Sequence, residues 1–451
     1  MNYIKTIFDL WQLKRNEKKT VEEISSLQTK KLKRLLHYAY EHSAYYRSSF
    51  ERAGITDEMI DSTPLSAFPV MDKSVLMSQF EEIVTVPDFT QEEIRDFDEK
   101  ETIDKKLFQD KYHIVHSSGS TGTPKYFVYD ESAWNTMLLG IVRGALWNMT
   151  MPEIIKFLIH GPRIVYIAAT DGRYGGSMAV GDGVNGVGAK QIYLDINTPL
   201  DEWISTVKKF KPNMIIGYPS AVKILAELVE KGDLDLKVLR IVTCGEPLGA
   251  GLRKYLEGVF GSDVINFYGA SESLSLGVES SPKEGMLLFD DMNIIEIQDG
   301  VMYLTCLYNF VQPLIRYRLS DQLTLQAPNA GSRYPFTRAV GLLGRSEDIL
   351  WFHDGNGKQE FLHPLAVEGF CIEGLRDYQF RQISPDTFEM LAEASNDLQK
   401  TVQDEVLQKM RDILRGKGLD YVQFFVRFVP EILPDPGTGK KRLILTDMEA
   451  A

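Results

Sequence analysis

Ser117, Ser118, Gly119, Ser120, Thr121, Gly122, Thr123 and Lys125 stand in one short stretch, "HSSGSTGTPKYFVYD". Glycines let backbone N–H groups close on a charged ligand, and hydroxyls turn further donors toward phosphate oxygens. With one ammonium added, the composition suits an anion. A polar hairpin turn draws on the same residues, so this stretch alone leaves both readings open. The spacing excludes a Gly-x4-Gly-Lys-[Ser/Thr] loop: Gly119 and Gly122 are too close, and Pro124 sits where the helix should begin. Both flanks, "KYHIVH" and "KYFVYD", read as strands, so the loop joins strand to strand.

The elements able to position such a loop alternate through the middle of the chain. "RIVYIAAT", "NMIIGYP", "VLRIVTC" and "DVINFYG" are short β-branched or aromatic runs ending in glycine, proline or small residues, which predicts strands. Between them, "SAVKILAELVEKGD" sets Val222, Leu225, Leu228 and Val229 on one helical face. "LGAGLRKYLEGVFG" does the same with Leu252, Tyr255, Leu256 and Phe260. Such alternation implies a parallel-rich sheet with ligands at the carboxyl ends of its strands. Upstream, a Thr20/Glu23 capping box opens a helix carrying Leu32, Leu35, Leu36 and Tyr40 that stops at Gly54, within a helical region of about residues 1–90. After "GRSEDIL" come strands around "DYQFRQISPDTFEML", a helix over Leu398–Leu414 with Val402, Val406, Met410 and Ile413 on one face, and a strand "VQFFVRFV". We therefore expect an α/β fold in two parts. Residues 1–344 form a large domain with parallel-rich sheets and helices, and residues 345–451 form a small, mobile α+β domain, the boundary falling near Gly344–Asp348.

Composition narrows the partners. At 451 residues with 50 basic against 63 acidic side chains, the net charge of −13 argues against nucleic acid or an anionic membrane as the main partner, so any anion is bound locally. Cys244, Cys306 and Cys371 are far apart and lack metal-ligand spacing, which indicates reduced thiols. The amino-terminal segment reverses the order of a signal peptide, and no apolar run approaches a membrane span; the expected location is the cytoplasm.

Five segments in order carry a resemblance: "SSGSTGTPK", "YGASES" (Tyr268–Ser273), "PLIRYRLSD" (Pro313–Asp321), "GRSED" (Gly344–Asp348) and "PGTGKKR" (Pro436–Arg442). From about Leu27 almost to its end the chain resembles the adenylate-forming enzymes. It is most similar to the branch of phenylacetate–coenzyme A ligases, the related capsule-biosynthesis proteins and the deazaflavin-coenzyme adenylyltransferases. The resemblance implies that Ser117–Thr123 and Lys125 close over the β- and γ-phosphates of ATP, and that Glu272 holds magnesium, a hard cation that prefers carboxylate oxygen. A helix-capping glutamate is the structural alternative for Glu272. It further implies that Gly245, Glu246 and Pro247, with Tyr268, Gly269, Ala270 and Ser271, wall the adenine pocket, Tyr268 stacking on the base. Asp321 matches the acceptor of both ribose hydroxyls, Arg345 the arginine at ribose and hinge, and Lys440 the lysine that meets the carboxylate and α-phosphate during adenylation. Arg316 and Arg318 alternate with Ile315 and Tyr317 and are expected on one side of a strand.

What the resemblance implies is a ligase that uses ATP to turn a small carboxylic acid into an acyl-adenylate, then passes the acyl group to a thiol or amine. The alternatives are transfer of AMP to an acceptor hydroxyl, and a nucleotide-binding relative without catalysis. Tyr174, Gly175 and Tyr218 fall where relatives line the acyl pocket, so an aromatic acid is one expectation. Leu319-Ser320 stands where the family has threonine-glycine. No cysteine follows Glu272 closely, so no structural zinc is expected. "WFHDGNGKQEFLHPLAVEG" replaces the compact turn that shapes the pantetheine tunnel, which argues against coenzyme A. A dimer is compatible with the sequence.

Overall fold

The structure, a computed structural model, describes residues 3–87, 89–99, 107–116, 125–159, 161–168, 178–179, 181, 189–246, 248–281, 283–319, 321–328, 331–343, 350–353, 357–362, 367, 370, 372–432 and 443–446. Among these residues the largest feature is a nine-stranded sheet. Its spatial order is Gln322–Gln326, Arg338–Leu343, Met286–Leu288, Ser273–Glu279, Val264–Ala270, Arg240–Cys244, Met214–Gly217, Arg163–Ala168 and Lys190–Asp195. From Val264–Ala270 to Lys190–Asp195 the strands run parallel, with helices Leu200–Phe210, Pro219–Glu230 and Ala250–Phe260 between them in sequence. From Val264–Ala270 to Gln322–Gln326 every pairing is antiparallel. The alternation of apolar runs foretold four of the five parallel strands and two of the three helices; the edge strand Lys190–Asp195 and the helix Leu200–Phe210 were not among them. The second half has no helical crossover among the described residues: a two-residue turn joins Val264–Ala270 to Ser273–Glu279. Between Met286–Leu288 and Gln322–Gln326 the chain instead passes through a separate three-stranded antiparallel sheet of Asn293–Gln298, Val301–Cys306 and Tyr317–Leu319.

Two apolar clusters cover this sheet. One gathers Tyr46, Phe127, Trp134, Trp147 and Phe289; the other gathers Trp203, Val207, Leu225 and Leu256. A third cluster lies where helix Gln399–Gly416 buries Val402, Val406, Met410 and Leu414 against a four-stranded sheet in the order Gln423–Phe428, Thr387–Ala394, Leu375–Ser384, Ile444–Thr446. A mixed sheet with one helix is the α+β pattern expected of the tail. No helix among the described residues is long and apolar enough to cross a membrane.

Two expectations fail locally. The helix opened by the Thr20/Glu23 box, whose reciprocal bonds are both present, ends at His42 instead of reaching Gly54. Ser43 breaks it: the residue is extended, its N–H closes the first helix on Ala39, and its hydroxyl accepts from Tyr46 N to open the helix Ala44–Arg52. Arg316 and Arg318 do not share a side. The strand covers only Tyr317–Leu319, and Arg316 sits at φ +49°, a left-handed backbone that breaks the two-residue alternation. Its guanidinium is buried on the carbonyls of Ser66 and Phe68, Gln298 Oε1 and Glu296, while Arg318 is exposed.

Candidate active site

Strands His113–His116 and Tyr126–Tyr129 form an antiparallel hairpin with His116 opposite Tyr126, so the glycine and hydroxyl loop does join strand to strand. Among the described residues the second strand finds no third strand beside it. Side-chain amides take that place: Val128 N donates to Gln312 Oε1, Gln312 Nε2 to Tyr126 O, and Asn309 Nδ2 to Val128 O. Buried backbone groups thereby keep their partners, and Lys125 is held at the start of a fixed strand.

Glu272 occupies the two-residue turn Ser271–Glu272 between Val264–Ala270 and Ser273–Glu279, which excludes the helix-capping alternative. Gly269 allows this turn to close, because a Cβ there would lie 2.6 Å from Leu274 O. Tyr129 Oη donates to the carbonyls of Glu272 at 3.2 Å and Ser271 at 3.3 Å and pins the turn from below. Lys125 Nζ then donates to Glu272 Oε1 at 2.7 Å, joining the end of the hairpin to the end of the central strand. Both side chains are largely withdrawn from water, at 18% and 6% exposure.

Tyr317 lies beside this pair, 5.8 Å from Lys125 Nζ to its ring centroid. Its hydroxyl is buried without a hydrogen-bond partner among the described residues, and burial followed by the charges of Glu272 and Asp72 pushes it well above its ordinary pKa. Met71 pairs with Tyr317 through Met71 N to Arg316 O and Arg318 N to Met71 O, which carries Asp72 and Lys73 to the same place. Burial, then the neighbouring Lys125 ammonium, lowers the Lys73 pKa. Sequence reading missed Lys73, since nothing local distinguishes it from any first-turn lysine.

Tyr268, 8% exposed, lies in the strand Val264–Ala270, and burial, then Asp321 as charge and hydrogen-bond partner, then Glu272, raises its pKa far above the ordinary value. Tyr268, Asp321, Glu272 and Lys125 are thus brought together. At the neighbouring strand end, Gly245 has φ +81°, and a Cβ there would meet the Tyr218 ring at 2.7 Å. Glu246 accepts from Ser220 Oγ at 2.8 Å and Ser220 N at 3.0 Å, capping the helix Pro219–Glu230, whose N-cap residue Tyr218 makes no side-chain capping bond to it. The Cys244 thiol is pushed up to about 12 by burial and then Glu246, which disfavours the reactive thiolate.

Two histidines flank the loop. His116 Nδ1 lies 2.7 Å from Asp98 Oδ2, a pairing across 18 residues that carries no local signal. His113 stacks on Trp134 with centroids 4.3 Å apart, and burial pushes it down to about 4. Ser117–Thr123, Pro247, Tyr174, Gly175, Arg345 and Lys440 lie outside the described residues.

A family profile described as "AMP-binding enzyme" matches residues 55–288, just over half of the chain. Phenylacetate–coenzyme A ligase of Aromatoleum evansii is 26% identical over 379 residues, covering 78% of this chain and 76% of that protein. The Thermus thermophilus enzyme of the same name is 24% identical over 418 residues, covering 86% and 85%. Among solved structures, 2-hydroxyisobutyryl-CoA ligase with 2-HIB-AMP and CoA superposes with a TM-score of 0.60 at 19% identity, covering 96% of this chain and 92% of that one. The last likeness shows the fold.

Proposed function

The chain belongs to the AMP-binding enzyme family, and from that premise we propose that it joins a carboxylic acid to the AMP of ATP and passes the acyl group to coenzyme A. One acid oxygen attacks the α-phosphorus and the bond to pyrophosphate breaks; a thiolate then attacks the acyl carbon and AMP leaves. The observation that carries this reading is the Lys125–Glu272 pair set against Tyr268 and Asp321. Lys125 is an ammonium at the root of the loop, able to move from Glu272 to the phosphates as charge develops. Glu272 fits one ligand position of magnesium, whose remaining ligands would be phosphate and water; the cation would neutralise polyphosphate charge. Asp321 would accept the ribose hydroxyls, and Tyr268 would bound the adenine.

Residues Ser117–Thr123 are proposed as the phosphate loop, Pro247 as part of the adenine wall, Arg345 as the ribose and hinge contact, and Lys440 as the lysine of the first half-reaction. Tyr174, Gly175 and Tyr218 are proposed for the acyl pocket. Phenylacetate or a similar aromatic acid is the proposed substrate, supported by the names of the relatives. Those names also support coenzyme A over an amine, against the expectation drawn from the altered segment after Leu350. The proposed domain boundary remains residue 344, since the third apolar cluster draws its described members from Leu350 onward.

Exchange of labelled pyrophosphate into ATP, with phenylacetate present or absent, tests the first step. Acid-dependent exchange is expected. Acid-independent AMP transfer to an alcohol, or ATP binding without exchange, would overturn the reading.

A further inference from the structure

One buried ion pair sits far along the chain from the site and ties together segments that the proposed boundary separates. Strands Leu350–His353 and Gln359–Leu362 pair antiparallel, with Trp351 opposite Phe361 and Phe352 opposite Glu360. Successive residues face opposite sides. Leu350, Phe352 and Leu362 enter the apolar cluster of the small sheet, whereas Phe361 and Trp351 pack into the cluster under the parallel half of the large sheet. Phe361 meets Trp203 edge to face at 5.3 Å. The hairpin is therefore a wedge with a core on each side.

Glu360 bridges both. Its Oε2 accepts from Leu200 N at 2.8 Å, the first N–H of helix Leu200–Phe210, whose N-cap Pro199 offers no side-chain bond. Its Oε1 accepts from Lys417 Nζ at 3.1 Å. Lys417 follows the helix Gln399–Gly416, is fully buried at its side chain, and also donates to Thr198 O at 2.9 Å; its ammonium lies 3.9 Å from the Phe361 ring centroid. The charges facing Lys417 are Glu360 and Asp195. At the rim, Lys358 pairs with Asp201, and Lys231 donates to Gln359.

We propose that Glu360 and Lys417 are positioning residues that set the orientation of the C-terminal unit against the edge of the large sheet, and with it the balance between adenylation and acyl transfer. The proposal rests on the two-step reaction given above. A hydrophobic wedge alone would hold the units together in many rotations. A carboxylate that must reach one particular helix amide with one oxygen and one ammonium with the other selects a single rotation. Burial holds Lys417 at about 8, below its ordinary 10.5, against the pull of Glu360 and Asp195. Undocking returns the ammonium toward water, so between those values the docked form binds fewer protons and docking strengthens as pH rises.

The test uses the full chain as Glu360→Gln and Lys417→Met, with Lys358→Ala as a comparison outside the buried pair. Amide hydrogen exchange should quicken at Leu200 and its neighbours in both buried-pair variants while Ile215 and Met390 keep their protection. Unchanged exchange at Leu200 would overturn the docking role. Pyrophosphate exchange with phenylacetate and thioester formation with coenzyme A are then measured separately. Their rate ratio should shift by roughly 5- to 150-fold, the usual span of a coupling between states, and vary with pH above about 8 in the wild type but not in Lys417→Met. Lys358→Ala should leave the ratio unchanged. Equal loss of both rates, in step with a lower Tm, would overturn the positioning role. Absence of acid-dependent exchange in the wild type would instead overturn the reaction and the rate-ratio half of the proposal, leaving docking to be decided by amide exchange.

Discussion

Two cation–carboxylate pairs of similar length serve opposite ends. Arg143 and Asp291 are both fully withdrawn from water and meet through two bonds, Nη1 to Oδ2 at 2.8 Å and Nη2 to Oδ1 at 3.0 Å. Asn16 donates to the same carboxylate, Lys31 donates to the Asp291 carbonyl, and the guanidinium lies 4.1 Å from the Phe289 ring centroid. Although burial opposes it, Arg143 and its neighbours hold the Asp291 carboxyl below its ordinary pKa. Lys125 and Glu272 meet through one ammonium bond at the end of a hairpin, beside the Tyr317 hydroxyl that has no partner among the described residues. A fork locked on both oxygens leaves no place for a ligand. An ammonium on one oxygen can trade its partner for a phosphate, and that difference sets a structural knot apart from the proposed site.

The largest expected effect breaks the knot. Arg143→Met leaves Asp291 as an uncompensated buried charge and should cost about 3–5 kcal/mol of stability, read as a large fall in Tm, with little change in exchange rate per folded molecule. A Tm near wild type would erase the contrast. Lys125→Met should do the reverse, lowering pyrophosphate exchange by roughly 10²–10³-fold with a much smaller change in Tm. If Lys125→Met chiefly unfolded the protein, it would belong with Arg143.

Asp321→Ala should weaken ATP binding by about 1.5–3 kcal/mol for each charged hydrogen bond lost, measured by calorimetry, while Tyr268→Phe, which keeps the ring and removes the hydroxyl that meets Asp321 and Met302 Sδ, should cost less. An equal loss in the two variants would place the role of Asp321 in holding Tyr268. The smallest effect concerns acid. The unfolded His113 titrates near 6.5 and the folded one near 4, so over that window the unfolded chain binds the extra proton and stability falls as pH falls. His113→Phe, which keeps a ring against Trp134, should flatten the Tm profile there; an unchanged slope would assign it to another group.

The candidate site was partly legible. The strand-loop-strand setting of Lys125 followed from "KYHIVH" and "KYFVYD", since apolar runs bounding a polar turn are a local pattern. Glu272 could be named from "YGASES" but its partner could not, because Lys125 is 147 positions away and only the docking of the hairpin on the central strand brings them together. Lys73 and the Asp98–His116 pair gave no signal for the same reason. Arg316 misled: a strand pattern put it beside Arg318, and a burial site built by Ser66, Phe68, Glu296 and Gln298 turned its backbone left-handed instead.

What the sequence determined by itself was whatever depends on neighbours along the chain: the Thr20/Glu23 cap, the alternation that lays four of the five parallel strands, the amphipathic face of Gln399–Gly416, and the residue types available for phosphate chemistry. Tertiary structure decided which charges meet. It gave Asp291 a bidentate arginine, Glu272 a single ammonium, and Glu360 one oxygen for each side of the hairpin wedge. Periodicity acts over a few residues and survives in any compact arrangement, whereas the pairing of two charges needs both placed within about 3 Å, a distance set by how sheets and helices pack and written in no single segment.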